Sequence, residues 1–145
     1  APYFIGGSER SIEEYMISDE EYEKNRIQLA GLNPSSIAKR LRRNAAKGAD
    51  GERRVGVPKK KKQIKINGRS RYPDHLTAEQ IIEVKNVQSL GFTKQLRDYL
   101  EYANSRGLDF ILYTPHFPNG VEGMSGPLRK AIKDGLIIHK YIPGL

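Results

Sequence analysis

The stretch "RYPDHLTAEQIIEVKN", Arg71 to Asn86, decides how this chain is read. Within it, Pro73-Asp74 is followed nine residues later by Glu83-Val84-Lys85. The run Ile81 to Lys85 sets β-branched residues beside polar ones and predicts a short strand. Side chains two apart on a strand share a face. Glu83 and Lys85 therefore project together, with Ile82 and Val84 expected to face the core on the other side. With Asp74 folded beside them, two carboxylates and an ammonium meet at one point. Charges on an interior strand are costly unless they are paired or hold a metal.

These residue types suit one chemistry. Cleaving a phosphodiester calls for a hard cation held by carboxylate oxygens, which polarises the phosphoryl oxygen and activates water. Asp74 and Glu83 are the candidate Mg²⁺ or Mn²⁺ ligands, and the backbone carbonyl of Val84 is a further oxygen. Lys85 would orient the attacking water or offset charge on the phosphate. The alternative is an ordinary Glu–Lys pair on an exposed strand face.

Outward from this stretch the elements fall into order. Helical periodicity covers residues 9–30, and Asn33-Pro34-Ser35 starts a helix that runs to about Arg54. Gln63–Asn67 reads as a strand turned by Asn67-Gly68, residues 70–77 as a second carrying Asp74, and residues 80–86 as a third. Thr93 caps a helix through Ser105 that Gly107 ends. Leu108–Thr114 is a buried strand, Ser125 caps a short helix to Asp134, and Leu136–Ile142 is the last strand. A hairpin would set Asp74 beside Glu83, and the next helix would cross to a parallel strand.

The run Arg71 to Ala103, "RYPDHLTAEQIIEVKNVQSLGFTKQLRDYLEYA", resembles the core of the PD-(D/E)xK, restriction-endonuclease-like superfamily. More narrowly it resembles restriction-endonuclease-fold toxin domains at the C-termini of bacterial polymorphic toxins. The likeness extends upstream to "KGADGE" (Lys47 to Glu52) and downstream to "SGPLRKAIKDG" (Ser125 to Gly135), spanning roughly residues 39–142. It implies an α/β fold with an α-β-β-β-α-β core, a mixed sheet and flanking helices, preceded by a helical N-terminal segment. The division implied is an acidic carrier-derived segment over 1–38 and a nuclease domain over 39–145.

The resemblance also implies roles for three further residues. Glu52, on the helix before the sheet, would reach the metal site and join catalysis; otherwise it is a solvated partner of Lys47 or Arg53. Gln95 and Tyr99 fit a Q-x-x-x-Y pattern and share a helix face, as residues four apart do. Both would look at the site or at the nucleic-acid backbone, with Gln95 in the catalytic group and Tyr99 among the nucleic-acid contacts. The alternative for Tyr99 is a core position on the stripe of Leu96, Leu100 and Ala103. The implied activity is a Mg²⁺- or Mn²⁺-dependent nuclease acting on DNA, with RNA open. It would be delivered within a larger effector to a target-cell cytoplasm and neutralised by an acidic immunity protein. The opening "APYFIGG" reads as a cut or domain boundary within a longer chain.

Charge points to a nucleic-acid partner. The 145 residues carry a net charge of +8, unevenly spread. Residues 1–38 hold three basic and seven acidic side chains, 39–72 hold fourteen and two, and 73–145 hold eight of each. Such a block attracts phosphate without reading sequence. Lys59, Lys60, Lys61 and Lys62 are its densest run; Arg53, Arg54 and Arg71, with Arg40, Arg42 and Arg43, enlarge it. A non-catalytic basic binding module is therefore the rival reading. The acidic amphipathic helix near residues 11–30 would pack on the nuclease domain or lie near the basic block.

Other chemistries fit less well. There is no cysteine, which excludes disulfides and thiolate metal sites. His75, His116 and His139 are dispersed, with no zinc-binding spacing. His75, next to Asp74, would point to the opposite face. No run of eighteen apolar residues and no signal-peptide pattern occurs, so this fragment carries no membrane anchor of its own.

Overall fold

A computed structural model describes residues 34–117 and 123–145. The helices expected over 9–30 and the middle of the loop after Phe117 lie outside the described residues. Helix α1 spans Pro34–Val55, followed by strands β1 (Ile64–Ile66), β2 (Arg69–Arg71), β3 (His75–Leu76) and β4 (Gln80–Val84). Helix α2 (Lys94–Arg106), β5 (Asp109–Thr114), helix α3 (Gly126–Lys133) and β6 (Ile138–Tyr141) complete the chain. This is an α/β architecture consistent with a restriction-endonuclease-like fold.

Four strands form one mixed sheet in the order β3-β4-β5-β6. β3 runs antiparallel to β4, with His75 opposite Ile82, whereas β4, β5 and β6 are mutually parallel. The parallel joins need crossovers, which α2 and α3 supply. Local chemistry sets both helices. Thr93 Oγ1 accepts from the Leu96 N–H at 3.2 Å, and Gly107 ends α2 at φ 69°, a left-handed position suited to glycine. Ser125 caps α3 in the same way, with Pro127 just inside its start.

The strand expected over 70–77 is two strands. Pro73 cannot donate to a ladder, and the chain bends at Tyr72-Pro73-Asp74 between β2 and β3. β1 and β2 make a separate two-stranded hairpin across Asn67-Gly68, where φ values of 51° and 77° give the two positive angles of a type I′ turn. Asp74 therefore sits at a bend ahead of β3, not within a strand.

The sheet is covered on both faces. Ile81, Leu96, Tyr99, Phe110, Leu112, Leu128 and Ile137 form the main hydrophobic core. Ile81 shares its strand face with Glu83 and Lys85, so the core lies on that side, under α2. This corrects the expectation that Ile82 and Val84 carry it: Ile82 is only half-buried. Val84 is buried against α1 instead, at Gly51. A Cβ built on Gly51 would stand 3.0 Å from Asn86 Cβ and 3.3 Å from Val84 Cγ1. The missing side chain lets α1 lie close on β4, and that approach carries Glu52 to the sheet. The Asn86 amide donates to the Lys47 carbonyl at 2.9 Å, fixing the same helix.

Candidate active site

One step beyond the β3–β4 register Asp74 falls opposite Glu83, and two hydrogen bonds tie its bend to β4. The Asp74 N–H donates to Glu83 Oε1 at 3.1 Å, and the Val84 N–H donates to Asp74 Oδ2 at 2.8 Å. Both carboxylates are nearly sealed from solvent, at 4% and 1% exposure, and Lys85 is equally buried at 1%. Each carboxylate thus has one oxygen tied to the backbone. The other oxygen of each meets an ammonium. Glu83 Oε2 lies 3.3 Å from Lys85 Nζ, and Asp74 Oδ1 lies 3.5 Å from Lys61 Nζ.

Helix α2 completes the site from the core side. Gln95 Oε1 accepts from Lys85 Nζ at 2.5 Å. That bond and the Glu83 contact hold a fully buried lysine in one position. Helix α1 contributes Glu52, whose Oε1 accepts from Lys61 Nζ at 2.5 Å. Lys85's N–H points to β5, where it donates to the Tyr113 carbonyl at 2.9 Å. The Val84 N–H points the other way, to Asp74, and its carbonyl shares that side, since a strand residue's N–H and C=O point together. Asp74, Glu83, Lys85, Gln95, Glu52 and the Val84 carbonyl are therefore gathered in one place.

The electrostatics reflect crowded acids. Burial, then the charge and hydrogen bond of Glu83, push the Asp74 carboxyl up to about 7; the Val84 N–H and Lys85 pull the other way. Burial also raises Glu52, opposed by its hydrogen bond to Lys61 and reinforced by the nearby Asp74 charge. A cation in the site would offset the crowding that raises Asp74 and Glu52.

The donor set fits a hydrated hard cation. Among the described residues no cluster of three or more acid, histidine or cysteine ligands forms a ready cage. Magnesium does not require one: it commonly uses one or two carboxylates and keeps several waters. The Tyr99 hydroxyl adds a second indication. It is buried without a hydrogen-bond partner, and its pKa is raised first by that burial and then by the charges of Glu83 and Asp74. A buried hydroxyl beside two carboxylates is suited to a water in the site.

Several residues expected to touch nucleic acid stand elsewhere. Tyr99 is wholly buried and packs edge-on against Phe110, centroids 6.0 Å apart, so it serves the core. It does share the Gln95 face of α2, but that face looks inward. Arg71 is also buried, with its Nε 2.9 Å from Asp98 Oδ2. Arg69 grips the same carboxylate through two bonds, at 2.9 and 2.6 Å. Despite the cost of burial, these two guanidiniums hold the Asp98 carboxyl below the usual range. Asp98 thus clamps the β1–β2 hairpin to α2. A signal for it was present: Arg69 and Arg71 are two apart on a strand, which calls for one shared acid on that face.

The basic run divides. Lys59, Lys60 and Lys62 are exposed, whereas Lys61 turns inward. Arg53 and Arg54 both pair with Asp50, and Arg54 also donates to the Pro143 carbonyl at 3.2 Å. Both remain at the surface. His75 is half-buried, cross-strand from Ile82. His116 stacks on Tyr141 with centroids 3.7 Å apart, and His139 Nε2 lies 2.7 Å from Thr114 Oγ1. Both belong to the far edge of the sheet.

The chain matches no curated protein and no solved structure at a significant level. The sequence profile of the restriction endonuclease fold toxin 7 family matches residues 48–123, just over half of the chain. The matched span contains Glu52, Asp74, Glu83, Lys85 and Gln95, the side chains that converge here. The chain belongs to the restriction endonuclease fold toxin 7 family.

Proposed function

We propose that this protein is a metal-dependent endonuclease toxin domain that hydrolyses phosphodiester bonds in the DNA of a target cell. The observation that carries this reading is the buried Asp74–Glu83 pair with Lys85 locked between Glu83 and Gln95. A structural ion pair could sit at the surface at less cost. Here three carboxylates share two ammoniums, and the Asp74–Glu83 pair is buried at a strand end.

Asp74, Glu83 and the Val84 carbonyl would hold Mg²⁺ or Mn²⁺, with Glu52 reaching it from α1. When bound, the cation lowers the pKa of water and stabilises charge on the phosphate and the departing oxygen. Lys85 would hold the attacking water by its ammonium, or offset negative charge on the phosphate oxygens. Gln95 fixes where that ammonium points. The water oxygen bonds to phosphorus and gives up a proton to solvent, one P–O ester bond breaks, and the departing oxygen takes up a proton. Lys59, Lys60, Lys62, Arg53 and Arg54 would draw in the backbone of the substrate.

Membership of a toxin family supports a delivered effector, with residues 1–38 as the join to a carrier and 39–145 as the active part. It also supports a role in interbacterial competition and a cognate immunity protein. An acidic partner would complement the basic approach. No described helix is long and apolar enough to cross a membrane.

The test is incubation of the protein with supercoiled plasmid and, separately, total RNA, each with Mg²⁺ or EDTA. Plasmid cleavage that needs Mg²⁺ is the expected result. RNA loss with intact plasmid would keep the site and change the substrate. Binding without cleavage of either would replace the enzyme with a basic binding module.

A further inference from the structure

Lys61 differs from its neighbours in the lysine run. It lies in the loop between α1 and β1, and its ammonium turns into the acidic site. Four oxygens surround Nζ: Glu52 Oε1 at 2.5 Å, the Pro58 carbonyl at 2.8 Å, the Asp74 carbonyl at 3.2 Å and Asp74 Oδ1 at 3.5 Å. The side chain is 20% exposed, against 6% for Asp74, so the ammonium closes the site from its open side. An all-oxygen setting of this kind also suits a hard metal ion. Moreover, Asp74 Oδ1 is the oxygen of that carboxylate not tied to the Val84 N–H, and Glu52 is the third acid of the site.

We propose that Lys61 is a tethered counter-cation of the metal site, which a divalent ion must displace to reach Asp74 Oδ1 and Glu52. This rests on the metal-dependent reading above. The physical reason is that two cations cannot both take the same carboxylate oxygens at close range without strong repulsion. In the metal-free protein Lys61 offsets the excess acid and keeps the site folded. On metal loading its ammonium swings out to the rim, beside Lys59, Lys60 and Lys62, where phosphate arrives. Acid-site stability before loading and metal affinity are then set against each other by one side chain.

The experiment is calorimetric titration of Mn²⁺ into the parent, Lys61→Met and Lys61→Arg, without nucleic acid, paired with thermal melts in EDTA. Lys61→Met is expected to bind Mn²⁺ about tenfold more tightly than the parent while melting lower in EDTA. Lys61→Arg, which keeps the charge, should stay close to the parent in both readouts. A lysine with a purely structural role would lower the melting temperature without tightening metal binding. Equal or weaker Mn²⁺ binding by a folded Lys61→Met overturns the inference and leaves the metal reading standing. Absence of Mn²⁺ binding in the parent and in both variants overturns the two together. If Lys61→Met does not fold, Lys61→Gln replaces it with the same expectation.

Discussion

Asp74 keeps its proton to a higher pH than an ordinary aspartate, because it is buried beside Glu83. Its pKa in the folded protein, about 7, stands above the ordinary 3.8. The stability this group confers is therefore full below the ordinary value and is lost as pH rises through about 7. Thermal melts in EDTA should show the melting temperature falling across roughly that interval, with Mn²⁺ largely abolishing the fall. Asp98 acts with the opposite sign: its lowered pKa gives stability above the ordinary range that acid removes. The sequence made Asp74, Glu83 and Lys85 legible because the two-residue strand period and a cross-strand turn suffice to bring them together. Tyr99 was harder. Four-residue helical spacing shows that it shares a face with Gln95, but not that this face is the core. Because its hydroxyl has no partner, Tyr99→Phe should leave the melting temperature within a few degrees of the parent, whereas Tyr99→Ala should cost about 3–5 kcal/mol in denaturant unfolding.

At the level of elements, the hairpin β1–β2 is held by charge more than by its ladder. Its sheet has only two short strands, and such a pair has little stability alone. The Arg69–Asp98–Arg71 cluster ties it to α2 with the Arg71–Asp98 pair buried. Asp98→Asn leaves two guanidiniums facing a neutral amide. The expected loss, discounted for the partly exposed Arg69, is about 3 kcal/mol, read from urea unfolding. The caps at Thr93 and Ser125, the Asn67-Gly68 turn and the helix stop at Gly107 were all readable, since each depends on one local residue type. The break at Pro73 was marked by a residue that cannot join a ladder. What the sequence hid was which side of β4 the main core occupies, because Ile81, Ile82 and Val84 are all apolar and only the helices decide.

Across the whole molecule, the positive charge splits into working parts. Arg71 and Lys61 are spent inside the protein, while Lys59, Lys60 and Lys62 face solvent. Composition alone counts all of these equally, so the size of the exposed patch was not legible. Replacing Lys59, Lys60 and Lys62 together with alanine should flatten the dependence of log binding constant on log salt. The slope should fall by about 2 to 3, measured on duplex DNA in EDTA. Metal affinity should not change by that substitution. The mixed sheet and its crossovers followed from the alternation of strands and helices. The most direct measurement is single-turnover cleavage of a labelled duplex in Mg²⁺ by the parent and by the near-isosteric Asp74→Asn, with melts of both in EDTA at pH 7. A loss of about a thousandfold or more in rate, with a melting temperature equal to or above the parent's, is the predicted result. Cleavage by a folded Asp74→Asn at the parental rate would contradict the account.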